Sequence, residues 1–231
     1  MPFNPLQMAY SIDLSIISLE DFEDRLHTRY LPPSREILRK ESQTAFKVFN
    51  DQGIDNLNEL YTFLKNKANW DVLSSTKNIG IPYLTILFRE IKSYIAKPIQ
   101  FKDLIGISIV TLQKLSNAKI NNTKKLYDLI LTPENRQELR SELRISEDEI
   151  LELTKLTDLS RVKWIGPLFI DILYNVGVDT VEKLQNSDPE ELFIWMQDHI
   201  QINQRYSGPF TVKDSEILIE ASKDLSLDIE Y

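Results

Sequence analysis

The stretch of sequence that decides the fold reads Leu173-Tyr174-Asn175-Val176-Gly177-Val178-Asp179-Thr180-Val181-Glu182-Lys183-Leu184. Leucine and valine recur in it at helical spacing on both sides of a glycine. Glycine can adopt the left-handed conformation that ends a helix, and the apolar residue after it can pack back on the helices. We therefore predict two helices joined by a tight turn at Gly177, with Asp179 capping the second helix.

Two earlier segments repeat this pattern. A shift of 58 residues places Leu115, Ala118, Ile120, Thr123 and Leu126 on Leu173, Val176, Val178, Val181 and Leu184. A shift of 66 residues likewise places a set that includes Phe49, Ile54 and Leu57 on Leu115, Ile120 and Thr123. The turns contain Gly53, followed by the predicted cap Asp55, and Lys119, which must accept a positive φ that its side chain disfavours. A unit that recurs in this way predicts a tandem array of short helices.

The composition favours helices and excludes several kinds of site. The 231 residues include six Gly, no Cys and two His, which stand at positions 27 and 199. Without cysteine there is no disulfide framework, thiolate metal site or cysteine nucleophile. No GxxxxGK[ST], GxGxxG, GxSxG or HExxH motif occurs. We therefore expect no enzymatic activity, no cofactor and no metal.

The chain carries no sign of export or of a membrane span. Residues 1–10 lack a positive patch followed by an apolar run, and no stretch approaches about 18 uninterrupted apolar residues. The missing cysteines are typical of a reducing compartment. We expect a cytoplasmic protein.

Two segments near the ends of the chain alternate between apolar and polar residues, which is the period of a half-buried strand. They contain Tyr10, Ile12, Leu14 and Ile16 at one end and Leu225, Leu227, Ile229 and Tyr231 at the other. An isolated strand leaves its backbone groups unpaired. We predict that the two segments pair as a small two-stranded sheet.

A second recurring element precedes the repeat helices. It reads Lys163-Trp164-Ile165-Gly166-Pro167, with looser counterparts in Leu104-Ile105-Gly106-Ile107 and Asn78-Ile79-Gly80-Ile81-Pro82. With Asp158-Leu159-Ser160-Arg161 before it and the turn at Gly177 after it, this sequence resembles the helix-hairpin-helix domain-of-unknown-function family 4332, a bacterial family. The resemblance is close over about 158–192 and weaker back to about Pro33. Trp164 stands where one version of the hairpin, Gly-apolar-Gly-Pro, has its first glycine.

The resemblance implies an all-α fold, a compact array of repeated helix-hairpin-helix units, with no assigned catalysis. Pro98 ends the long helix predicted from Pro82 to Ala96 and marks the predicted domain boundary. We predict an N-terminal lobe at 1–97 with the first repeat, and a C-terminal lobe at 98–231 with two more.

The resemblance also implies a way to bind nucleic acid. In a helix-hairpin-helix unit the hairpin amides and the N-terminus of the next helix point at a phosphate, and nearby cations add charge. Gly166 is the candidate amide donor, and Arg161 and Lys163 are the flanking cations. The alternative is that Gly166 and Pro167 only form a tight turn and a helix start.

The charge of the chain is uneven. The formal net charge is -8, yet residues 1–97 carry 12 basic and 12 acidic groups. From Ile145 onward there are 7 basic and 18 acidic groups, and this field repels a phosphate backbone. A local exception is the lysine group at positions 114, 119, 124 and 125, which contains no acid. Lys119, Lys124 and Lys125 are therefore candidate anion-binding residues, with solvated helix surface as the alternative.

The function expected from these features is that of a non-enzymatic interaction module, either a scaffold for a protein partner or an accessory factor working near nucleic acid. The alternative is sequence-independent binding of DNA or RNA through the hairpins. Trp70, Trp164 and Trp195 could stack on bases, but their helical spacing beside Leu and Ile predicts core positions.

Overall fold

The structure is a computed structural model that describes residues 10–231, and this part of the chain is mostly helical, with no β-sheet. Residues 1–9, in which no export signal is predicted, lie outside the described residues. The chain divides into two compact units. One is Asp13–Ile95, and the other is Ala96–Tyr231 together with the segment that ends at Ile12. The lobes at 1–97 and 98–231 stay a prediction, because compactness does not show that either part folds alone.

The unit Asp13–Ile95 contains six helices around an aromatic core. They are α1 (Leu19–Thr28), α2 (Ile37–Lys40), α3 (Ser42–Asp51), α4 (Leu57–Lys65), α5 (Lys67–Thr76) and α6 (Ile81–Ser93). Short 3-10 helices lie at Leu14–Ile16 and Pro33–Arg35. Phe22, Phe46 and Phe49 are buried, with ring centroids 5.9 Å apart in each successive pair. Helices α4 and α6 pack on each other, and α5 contacts both.

The second unit contains eight helices. They are α7 (Ile109–Asn117), α8 (Thr123–Tyr127), α9 (Pro133–Leu143), α10 (Glu147–Leu159), α11 (Pro167–Asn175), α12 (Val181–Gln185), α13 (Pro189–Asn203) and α14 (Val212–Ser222). A 3-10 helix lies at Phe101–Asp103. Helix α10 is central: Leu153, Leu156 and Leu159 are buried, and α10 contacts α8, α9 and α11. Helix α13 packs on α14.

The three predicted turns share one backbone geometry. Gly53, Lys119 and Gly177 have φ angles of 72°, 63° and 85°. In each turn the next amide, for example that of Val178, donates to a carbonyl five residues earlier, at 2.9–3.2 Å. This bond satisfies a carbonyl that the helix end would leave unpaired. The prediction that Lys119 takes the left-handed position is confirmed.

The predicted caps are displaced by one residue. Asn56 and Thr180, rather than Asp55 and Asp179, cap α4 and α12, and their side chains accept hydrogen bonds from Glu59 N–H and Lys183 N–H at 3.0 and 3.1 Å. Asn56 and Thr180 have the extended backbone of an N-cap residue, so each helix begins one residue later than predicted.

The predicted terminal sheet is absent from the described residues. Leu14–Ile16 form a 3-10 helix, which Asp13 caps by accepting from Ser15 N–H at 2.9 Å. The segment after Leu225 forms no strand, although Glu230 N–H donates to the Leu131 carbonyl at 2.8 Å. Alternation identified the buried side chains only in part: Leu227 and Tyr231 are 52% and 48% exposed, whereas Leu225 and Ile229 join the core. Side-chain packing, rather than strand pairing, holds them.

Candidate functional site

The hairpin before α11 is built around an unusual tryptophan. Trp164 has a φ of 67°, although a bulky residue rarely adopts a positive φ. Ile165 N–H donates to the Val162 carbonyl at 3.3 Å, and Gly166 then lies at the N-cap of α11 in extended conformation. Trp164 therefore occupies a backbone position that glycine would fill without strain.

The same local backbone pattern occurs at four places within residues 10–231, and it corrects one predicted register. In each place a residue with positive φ is followed by isoleucine and then by the N-cap of a helix. The four sets are Asn78-Ile79-Gly80, Gly106-Ile107-Ser108, Arg144-Ile145-Ser146 and Trp164-Ile165-Gly166. Gly106 thus corresponds to Trp164, whereas the sequence comparison paired it with Gly166. The copy at Arg144 was missed because it contains no glycine.

Gly166 and Lys163 lie together on the hairpin. The Gly166 N-cap has no side chain to bond the first amides of α11, and its own amide donates no hydrogen bond within residues 10–231. A Cβ atom built on Gly166 would meet nothing within 4 Å. The Lys163 ammonium lies 4.0 Å from the centroid of the Trp164 ring. These two residues have the placement that contact with an anion requires.

Arg161 does not belong to this surface, which corrects its prediction as a flanking cation. Its side chain is 2% exposed, and one guanidinium nitrogen donates to Asp158 Oδ1 at 2.9 Å. The other donates to the Ser226 carbonyl at 2.9 Å, while the guanidinium carbon lies 4.8 Å from the Tyr127 ring centroid. Arg161 sits between the buried residues Leu159 and Val162, so its side chain is drawn into the core. It cannot reach a phosphate outside.

Around Arg161 the structure contains a buried polar network that the sequence did not reveal. Asp158 Oδ2 accepts from Val181 N–H at 2.9 Å and from the Tyr231 hydroxyl at 3.1 Å. The Tyr127 hydroxyl donates to Asp228 at 2.8 Å. Burial, with the negative charge of Asp158, raises the pKa of Tyr231 and keeps its hydroxyl protonated as a donor. The network joins α8, α10 and α12 to the C-terminal segment 226–231.

The candidate lysines lie on one turn and at the start of α8. Lys125 Nζ donates to the Lys119 carbonyl at 3.0 Å. Lys119 and Lys124 are exposed, and their ammonium groups form no hydrogen bond or ion pair with the described chain. Lys114 Nζ lies apart from them and donates to the Arg144 carbonyl at 2.5 Å. The structure therefore brings Lys125 to the turn at Lys119, and Lys124 is the residue before Lys125 on α8.

The outer face of α13 is apolar and exposed, against the prediction that Trp195 lies in the core. Ile194, Trp195 and Ile202 are 53%, 43% and 79% exposed. At 3.6 residues per turn, these three side chains fall within about 100° of the helix circumference, a sector that also contains the exposed Glu191 and Asp198. We call this surface the α13 face, and its residues are Glu191, Ile194, Trp195, Asp198 and Ile202. Trp164 is also exposed, at 45%, whereas Trp70 is buried as predicted.

The described residues include neither an arranged metal-binding group nor a membrane-spanning helix. No group of three acidic or histidine side chains in the described range is arranged to hold a metal ion. No helix of residues 10–231 has the length and apolar character needed to cross a membrane.

Comparison with known proteins gives one match. The model of a family described as a domain of unknown function (DUF4332) matches residues 105–221. No curated protein and no solved structure matches the chain. The matched range includes α7 to α13 and nearly all of α14. It is just over half of the 231 residues, and the chain therefore belongs to the family of domains of unknown function DUF4332.

Proposed function

We propose that this protein is a non-enzymatic interaction module of helix-hairpin-helix units that binds a protein partner through the α13 face. The four hairpins with a common positive-φ residue, isoleucine and N-cap support the helix-hairpin-helix assignment. The absence of cysteine supports a cytoplasmic location. The observation that carries the proposed function is the exposure of Ile194, Trp195 and Ile202 on one side of α13.

This exposure points to a partner because large apolar side chains seldom gather on a free surface without one. Tryptophan and isoleucine also lose much water-exposed area when a partner covers them, and tryptophan is enriched among the residues that dominate interface energies. Helix α13 is long enough, at 15 residues, to present this surface over four turns.

The charge of α13 indicates the chemistry of the partner. The helix carries Glu190, Glu191 and Asp198 and no lysine or arginine, and Asp188 caps it. An acidic partner, or a second copy of this face, would meet like charges. The proposed partner is therefore a segment with basic residues beside apolar ones.

We expect the protein to bind a synthetic amphipathic helix of leucine and lysine at least tenfold more tightly than the same pattern of leucine and glutamate. Isothermal titration calorimetry measures both. Combining Trp195→Ala with Ile202→Ser should weaken binding of the lysine peptide by about tenfold or more, because both changes remove apolar contact. Leu129 is an exposed leucine of the same unit and lies outside the α13 face. The Leu129→Ser variant should therefore bind the lysine peptide as the unchanged protein does.

Equal affinity for the two peptides, or binding that survives the α13 changes, would contradict the proposal. Sedimentation of the protein without peptide tests whether a second copy of the chain covers the α13 face instead. A dimer that becomes a monomer in Ile202→Ser would assign the face to a second copy and overturn the proposed basic partner.

A second candidate function is sequence-independent binding of DNA or RNA through the hairpin at Trp164. The uncapped start of α11 at Gly166 favours it, since helix N-termini attract phosphate. Of the cations first nominated, Lys163 and the group Lys119, Lys124 and Lys125 remain accessible.

If this hairpin binds nucleic acid, the affinity measured by fluorescence anisotropy with duplex DNA should fall as salt rises and should weaken in Lys163→Glu and in Gly166→Val. The open space around Gly166 makes the valine a test of anion access rather than of core packing. Loss of binding only when Lys119, Lys124 and Lys125 are neutralised would assign it to those lysines. No binding at low salt would rule out this candidate function.

A further inference from the structure

Three lysines converge on three aromatic rings in the unit Asp13–Ile95. The Tyr61 and Phe88 rings are stacked with centroids 5.7 Å apart and an interplanar angle of 11°, and the edge of Trp70 meets Phe88 at 6.0 Å. We call this site the lysine–aromatic cluster, and its residues are Tyr61, Lys65, Lys67, Trp70, Phe88 and Lys92.

Each lysine lies against a ring. Lys67 Nζ is 3.0 Å from the Trp70 centroid and 5.4 Å from the Phe88 centroid. Lys65 Nζ is 5.6 Å from Tyr61, and Lys92 Nζ is 5.7 Å from Phe88. An ammonium group is attracted to the negative face of a ring, and this attraction holds three like charges close together.

The local fold fixes the rings and leaves the lysines exposed. Tyr61 lies on α4, Trp70 on α5 and Phe88 on α6, and these three helices pack on one another. The Trp70 indole donates to the Leu64 carbonyl at 2.8 Å and is buried, so the base of the cluster is rigid. Tyr61 and Phe88 are half-buried and the three lysines are exposed. The site is thus a firm aromatic platform surrounded by exposed cations.

The cluster also lies in a stretch of the chain with an excess of positive charge. Residues 57–95 contain five basic and three acidic residues, a net of +2. Of the acids, Glu90 is buried in an ion pair with Arg35, and Glu59 accepts from Asp55 N–H at 2.8 Å. None of the three lysine ammonium groups forms an ion pair or hydrogen bond with residues 10–231. Their charge is neutralised by no carboxylate and remains available to a ligand.

We propose that the lysine–aromatic cluster binds single-stranded nucleic acid. The phosphates contact the three lysines, and an unpaired base stacks on the outer face of Tyr61 when the flexible Lys65 side chain moves aside. A planar base and a chain of phosphates together match rings and cations at this spacing, and stacking of this kind tolerates any sequence. A duplex keeps its bases inside and offers only the phosphates.

This site shares no residue with the α13 face or with the hairpin at Trp164, and it does not depend on the proposed protein partner. Binding of a short labelled oligothymidylate, followed by fluorescence anisotropy, tests it. We expect binding that weakens with salt, and a preference for the single strand over a duplex of equal length. Replacing Lys65, Lys67 and Lys92 with glutamine should reduce the affinity at least tenfold. It should also lower the slope of log affinity against log salt by about 2, because each phosphate contact contributes about 0.7.

The matched control replaces Lys102, Lys213 and Lys223 with glutamine, an equal change of charge at exposed lysines outside every candidate site, and should bind as the unchanged protein does. Tyr61→Leu keeps an apolar side chain but removes the ring, and it should weaken binding by about fivefold or more. Thermal melts of each variant establish that the fold is intact. Ile202→Ser, which alters the α13 face, should leave oligothymidylate binding unchanged. The nucleic-acid proposal and the protein-partner proposal can therefore be refuted independently.

Three results would overturn the proposal. One is the absence of oligothymidylate binding at low salt. Another is binding that survives the triple lysine change or is lost instead in the matched control. The third is equal affinity for the duplex with no effect of Tyr61→Leu, which would mean that the lysines attract any polyanion.

Discussion

Replacing Arg161 with methionine is expected to lower the free energy of unfolding by about 3–5 kcal/mol, because the change leaves the Asp158 carboxylate buried without its cation. Asp158 would retain only the bonds from Val181 N–H and the Tyr231 hydroxyl. The Ser226 carbonyl would lose the guanidinium as a donor. Urea denaturation of the protein and the variant measures the difference.

Arg140→Met is the matched control, since Arg140 also pairs with a carboxylate, that of Glu147 at 2.9 Å, but on the surface. An exposed pair contributes less than about 1 kcal/mol, so this variant should remain close to the unchanged protein. Adding Asp158→Leu to Arg161→Met should recover part of the stability, because the double variant buries no unpaired charge. If Arg161→Met lowers the free energy of unfolding no more than Arg140→Met does, the buried ion pair does not contribute the stability expected of it.

The repeated turns could be predicted from the sequence because their geometry depends on local chemistry. Helix ends, the left-handed residue and the apolar residue after it follow one another in the chain, so the position of Lys119 could be predicted without any tertiary contact. The local sequence determines the capping residues less clearly than it determines the turns. Asp179 and Thr180 can both accept an amide hydrogen bond, and only the folded path of the backbone selects Thr180.

The terminal sheet was predicted wrongly because alternation does not report what the backbone bonds to, and here it identifies the buried side chains only in part. Leu227 and Tyr231 are 52% and 48% exposed, whereas Leu225 and Ile229 do enter the core. Tertiary packing, which no local pattern encodes, provides their partners. In the same way a lone arginine at the end of α10 resembles a surface cation until its neighbours are known. One signal was present: Asp158 and Arg161 stand three apart, among the apolar residues Leu159 and Val162.

The surfaces proposed to bind ligands required the structure for a similar reason. On a helical projection of α13, Leu192, Met196 and Ile200 form a complete apolar face, and Ile194 and Ile202 then have no place in the core. The sequence alone could have shown that α13 has more apolar residues than its core-facing side can hold. The lysine–aromatic cluster could not, because its residues come from three helices and their spacing in the chain shows no pattern.

Removing the C-terminal segment 226–231 is expected to lower the free energy of unfolding by about 3 kcal/mol or more. The segment buries Ile229, whose side chain contributes about 2 kcal/mol on burial. Its loss also removes the Ser226 carbonyl from Arg161, Asp228 from Tyr127 and the Tyr231 hydroxyl from Asp158. Leu227→Ser, at an exposed position of the same segment, is the control and should leave stability unchanged.

The coupling free energy between the truncation and Arg161→Met shows whether the two changes disrupt one network or act independently. In the Arg161→Met background the same truncation should cost at least about 1 kcal/mol less, because the bond to Ser226 is already lost. Urea denaturation of the four proteins completes the cycle. If the two losses add to within about 0.5 kcal/mol, the bond from Arg161 to Ser226 does not contribute to holding the segment.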